Sequence, residues 1–124
     1  MLPKKNRLPL RSKINFLKQN GRMIQNPLFG FLYYLDDKQL DAQFVCVISN
    51  KTASKATERN KTRRLLSENI RLILNQVNPK LQAVFLIKKA IIGCDFATIK
   101  QELNKIFIQY HLYLKNEKGT TTTG

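Results

Sequence analysis

The sequence predicts a single domain of the α/β (α+β) class whose elements run helix, strands, helix, strand, helix. Three observations carry that prediction. The chain has 124 residues, enough for one modest core. Residues 28–35, 42–50 and 81–88 form apolar runs of strand length, while residues 54–77 and 95–110 repeat apolar side chains at helical spacing. No internal repeat and no second domain is visible. The domain is expected over residues 1–116, with the polar residues 117–124 as a disordered tail.

Taken in order, residues 2–22 carry Lys4, Lys5, Arg7, Arg11, Lys13, Lys18 and Arg22 and no acid, which makes them a basic arm. Within it, RSKINFLKQNG reads as a short helix: Ser12 is the expected N-cap, Ile14 and Leu17 share a face, and Gly21 is the stop. Residues 22–25 form a short strand before Asn26-Pro27. In NPLFGFLYYLDD, Phe29, Phe31, Tyr33 and Leu35 alternate with Leu28, Leu32 and Tyr34, a strand apolar on both faces that ends at Asp36-Asp37. AQFVCVISN is the next strand, expected beside the previous one through the connection DDKQLD. A helix then runs to about Val77 and stops at Asn78-Pro79. After the strand at residues 81–88 comes a turn at Gly93. Asp95 is the expected cap of a last helix that carries Phe96, Ile99, Leu103, Ile106, Phe107 and Tyr110 at helical spacing.

Charge narrows the function. The 22 Lys and Arg against 8 Asp and Glu give a formal +14, and self-repulsion of that size points to a polyanionic partner. No apolar run approaches the roughly 18 to 20 residues that span a bilayer, and Arg11 and Lys13 interrupt any signal-like apolar stretch near the start, so a cytoplasmic protein with no membrane partner is expected. Cys46 and Cys94 are too few for a zinc site or a disulfide framework, and Cys46, inside FVCVI, reads as a small buried hydrophobe.

The densest charge lies in SKATERNKTRRLLSENIR, residues 54–71. Successive residues about 100° apart put Leu66, Ile70, Ile73 and Val77 on one arc with Thr62 beside them, the core face. Asn60, Arg64, Ser67 and Arg71 fall on another arc, with Arg63 at its border. Arg59 breaks the division, because it projects onto the core meridian near the helix start. Between Lys51 and Arg71 only Glu58 and Glu68 oppose Lys51, Lys55, Arg59, Lys61, Arg63, Arg64 and Arg71, and the one opposite-charge i,i+4 pair on offer is Arg64 with Glu68. Cations at the positive end of a helix dipole, beside the unpaired N–H groups of its first turn, make a phosphate site rather than an ordinary solvated face.

These residues also resemble a family. Lys55, Ala56, Arg59, Asn60, Arg63, Arg64, Leu65, Leu66 and Glu68 are similar to the RNR signature of the bacterial ribonuclease P protein component, and the resemblance runs along nearly the whole chain, from Asn6-Arg7-Leu8 through VISNK to DFATIKQEL. It implies a four-stranded mixed sheet with a left-handed βαβ crossover, and a subunit of the ribonucleoprotein endonuclease that removes the 5′ leader of precursor tRNA. The catalytic RNA would perform the cleavage with magnesium bound mainly by that RNA, and one protein would serve each RNA. Contacts to the RNA would come from Lys51, Lys55, Arg59, Asn60, Lys61, Arg63, Arg64 and Arg71, aided by the arm residues Lys4, Lys5, Arg7 and Arg11. A cleft between the first helix and the sheet, with Ile14, Lys18, Phe31 and Tyr33, would hold the single-stranded leader, Tyr33 by stacking. Ile14 and Lys18 stand where the family usually has aromatics, and Ser54, Thr57 and Ser67 where it often has glycine, valine and arginine.

The chain itself offers little for catalysis. His111 is the one histidine, without a cysteine or carboxylate near it in sequence, and Asp36, Asp37 and Asp41 read as a solvated turn rather than a metal site. No catalytic residue and no protein metal site is expected. The alternatives are a structural RNA-binding protein such as a ribosomal component, and a DNA-binding protein; the latter lacks a helix-turn-helix partner before the basic helix.

Overall fold

The computed structural model describes residues 2–114, so the expected tail at residues 117–124 lies outside the described residues. The elements are α1 (Leu10–Asn20), β1 (Arg22–Gln25), β2 (Phe29–Leu35), β3 (Gln43–Val47), α2 (Ala56–Ile73), β4 (Leu81–Ile87) and α3 (Phe96–Gln109), with short 3-10 turns at Lys4–Asn6, Leu74–Gln76 and Lys89–Ile91. They form a mixed sheet in the order β1-β2-β4-β3. β4 runs antiparallel to β2 and parallel to β3, with Val84 opposite both Leu32 and Val45.

The order corrects one expectation. β2 and β3 are not neighbours, because β4 lies between them. A strand buried on both faces is apolar almost throughout. LQAVFLI meets that demand, with every residue but Leu86 buried, whereas QFVCV buries only Phe44 and takes the edge.

β2 is apolar on both sides because the sheet has a core on each face. Phe29, Phe31 and Tyr33 join Phe85, Leu66, Ile70, Leu103 and Phe107 in the larger core under α2 and α3. Leu32 and Val84 join Leu8 and Leu17 in the smaller one under α1. Leu28, expected with Leu32, belongs to the larger core, since it precedes the strand in a turn where its N–H donates to Asn26 Oδ1 at 2.9 Å.

Ser12 does not cap α1. The helix starts at Leu10 behind Pro9, and the Ser12 hydroxyl donates to the Pro9 carbonyl at 3.2 Å. Gly21 does stop it, through close approach rather than a left-handed turn: a Cβ there would lie 2.5 Å from the Leu17 carbonyl oxygen and 2.9 Å from that of Tyr33. Gly93 turns the chain at φ +89° ahead of α3, a conformation that favours glycine.

Before α1 the chain is pinned to the sheet. Asn6 Nδ2 donates to the Ala42 carbonyl at 2.8 Å and the Leu8 N–H to that of Phe44 at 2.9 Å, with Arg7 bridged to Phe44 in parallel fashion. Part of the basic arm is therefore a strap along the β3 edge, anchored by buried Leu2 and Leu8.

Candidate nucleic-acid interface

α2 follows a loop, and its start is open. Lys55 occupies the N-cap position in extended conformation and no side chain caps the helix. Leu66, Ile70, Thr62 and Val77 are buried as their arc predicts, and Ile73 is half-buried. Asn69 is buried too, which the arc did not flag; its Nδ2 donates to the Leu65 carbonyl at 3.0 Å and to the Phe96 carbonyl at 3.4 Å, tying α2 to the start of α3.

Lys51, Lys55, Asn60, Lys61, Arg63, Arg64 and Arg71 are all exposed. Arg59 is half-buried, and its Nη1 donates to the carbonyls of Ala53 at 2.8 Å and Ser54 at 3.1 Å. It thus braces the loop that presents the helix start, which accounts for its place on the core meridian. The pair offered by Arg64 and Glu68 does not form. Among the described residues the ion pairs are Lys5–Asp41 at 3.8 Å, Lys80–Asp37 at 3.2 Å and Lys105–Glu102 at 3.1 Å, all away from α2. The exposed cations of α2, Lys61, Arg63, Arg64 and Arg71, are thus left to solvent or to an anionic ligand.

On the opposite face of the sheet, α1 lies over β2. Ile14 is half-buried against Leu17, Leu32 and Val84, with Tyr34, Val45, Val47 and Leu86 packed beside them. Lys18 is exposed on α1. The structure does not bring Phe31 and Tyr33 to this face. Both point into the larger core, Phe31 fully buried and Tyr33 8% exposed, with the Tyr33 ring 5.5 Å from Phe31 and 6.4 Å from Tyr110. The alternation of β2 is as expected, but α1 covers the even-numbered side. The aromatics found there are Tyr34 and Phe16, edge to face at 5.0 Å, with Phe16 42% exposed. A phenylalanine turned to solvent on an otherwise polar helical face was the available signal for this pair.

Of the arm residues, Lys4, Lys5, Arg7 and Arg11 are exposed; Lys5 pairs with Asp41, and Arg7 Nε donates to the Leu2 carbonyl at 2.8 Å. Burial pushes the Cys46 thiol up to about 12 although Arg63 pulls it down, so the group stays protonated and is a poor nucleophile. His111 is exposed at φ 58° just past the end of α3. Asp36 Oδ1 accepts the Lys38 N–H at 3.0 Å, the geometry of a local turn. Among the described residues no group of three or more His, Cys, Asp and Glu is placed to hold a metal, and no helix is long and apolar enough to cross a membrane.

Comparison with known proteins bears on the family and the fold. The family described as Ribonuclease P matches residues 2–111. The ribonuclease P protein component of a Thermoanaerobacter species is 31% identical over 99 residues, covering 80% of this chain and 84% of that one. Among solved structures, the ribonuclease P protein from Thermotoga maritima has a similar fold, with TM-score 0.73 and 24% identity over 83% of this chain and 96% of that one. The Staphylococcus aureus protein does as well, with TM-score 0.75 and 15% identity over 88% and 98%.

Proposed function

The chain belongs to the ribonuclease P protein family, and from that premise we propose a division of labour between its two faces. As the protein component of ribonuclease P it takes part in tRNA 5′ processing together with the ribonuclease P RNA. In our reading the RNA carries the catalytic centre and most of the magnesium, and the protein acts in the cytoplasm as one copy per RNA. Lys51, Lys55, Asn60, Lys61, Arg63, Arg64 and Arg71 hold phosphates of the catalytic RNA, while Arg59 offers its remaining N–H groups and keeps the loop in shape. Lys4, Lys5, Arg7 and Arg11 extend the same positive surface. The observation that carries this reading is the uncapped start of α2, ringed by cations without ion-pair partners among the described residues.

The α1 face holds the single-stranded leader of precursor tRNA. Tyr34 and Phe16 supply aromatic surface for a base, Ile14 apolar contact and Lys18 a phosphate contact. The test is cleavage of precursor tRNA by ribonuclease P RNA at limiting magnesium, with and without the protein and its Tyr34→Ala form. The wild type accelerates cutting at the mature 5′ end. Tyr34→Ala weakens precursor binding by roughly 1 to 3 kcal/mol, the worth of one stacked base, and leaves mature tRNA unaffected. Equal losses on both RNAs would remove the leader from this face.

A further inference from the structure

One cavity lies outside the leader cleft and shares only two rim arginines, Arg7 and Arg63, with the RNA surface; its interior is used by neither. It measures about 330 Å³ and lies between the N-terminal strap, β3 and α2. Its apolar walls include Phe44, Leu66, Ile70 and Phe85, each 2% exposed or less. Its charged members are two exposed guanidiniums, Arg7 from the strap and Arg63 from α2. Neither forms an ion pair among the described residues, and Arg7 commits only its Nε, to the Leu2 carbonyl. The uncharged polar groups in the lining are the Ser67 hydroxyl and the Cys46 thiol.

That chemistry selects an occupant. The volume is at the small end of ligand cavities. A nucleobase would bring several donors and acceptors into walls with almost nothing to pair them, and each unpaired group costs free energy. An apolar body needs no such partners, and a single anionic group on it satisfies the guanidiniums at charge-assisted strength. We propose that this cavity binds a small amphipathic organic anion, an apolar body of one or two fused rings bearing one sulfonate or carboxylate that meets Arg7 and Arg63.

The probe is naphthalene-2-sulfonate, titrated into the full chain without RNA, so that the result is independent of the RNA-binding reading. Methyl resonances are followed by NMR. Saturable shifts at Leu66 and Ile70, with Leu103 and Ile106 undisturbed, are the expected result. Neutral 2-naphthalenemethanol binds the wild type about tenfold or more weakly, and Arg63→Gln weakens the sulfonate by a similar factor, the size of a lost hydrogen bond to a charged group. The proposal is overturned if Leu66 and Ile70 do not respond up to the solubility limit of the sulfonate. It is equally overturned if the neutral analogue or Arg63→Gln matches wild-type sulfonate affinity. Tighter binding of adenosine 5′-monophosphate at the same methyls would reassign the cavity to a nucleotide.

Discussion

α2 and α3 pack into the same core, yet they begin in opposite ways. α3 starts at Asp95, whose carboxylate accepts the Thr98 N–H at 2.9 Å. α2 starts at Lys55 with no side-chain cap, and lysines and arginines crowd its first turns. An absent cap costs about 1 kcal/mol, and each cation near the positive end of the dipole roughly 0.3 to 1 kcal/mol more before solvent and salt screening. One helix start is finished by the chain itself; the other is, in the function proposed above, finished by the RNA. A local violation of helix chemistry, set beside a compliant neighbour, is thus the feature on which the proposed binding role rests.

That contrast can be broken. Replacing Arg63 and Arg64 together by alanine should produce the largest change, a clear loss of affinity for ribonuclease P RNA and a salt dependence flattened by roughly one to two units, if each neutralises about one phosphate. Binding titrations across a series of salt concentrations measure it, and an unchanged slope would take the RNA off this face. It can also be sharpened, since Lys55→Asp gives α2 the start that α3 has. Thermal or denaturant unfolding should then show a gain of about 1 kcal/mol, while the added negative charge weakens RNA binding. If stability and affinity rise together, the open start has no ligand role.

The smallest effect concerns pH. Hydrogen bonds from the Thr98 side chain and then its backbone hold the Asp95 carboxyl below its usual value. A depressed folded value contributes stability that is present above the unfolded value of about 3.9 and is lost as pH falls through the folded one. Asp95→Asn keeps an acceptor and cannot titrate. The wild-type advantage over it in thermal melts should shrink on acidification below about pH 4, and a constant difference would show that the carboxylate adds nothing as a charge.

Much of this was legible in local signals. Gly21, Gly93 and Asp95 ended or began elements where the sequence said they would, since caps and turns depend on residues close in the chain. Pairing is not local. Sequence proximity suggested β2 beside β3, and only the unbroken apolarity of LQAVFLI hinted that β4 takes the centre. Alternation correctly set Tyr33 and Tyr34 on opposite sides, but it cannot say which side a distant helix will cover, and a one-residue difference reverses the answer. Arg59 illustrates a third limit: its role as a brace depends on carbonyls of a loop whose path no periodicity describes.

The strand order has a consequence for how the chain is made. Synthesis runs from the N-terminus, so β1, β2, the strap and β3 all leave the ribosome before β4. Until residues 81–87 emerge, β2 and β3 lack the strand that pairs with both of them, and unpaired edges are sites of misassociation. The four-stranded sheet therefore cannot be completed until its last strand in the sequence has been made, since β4 alone joins β2 to β3.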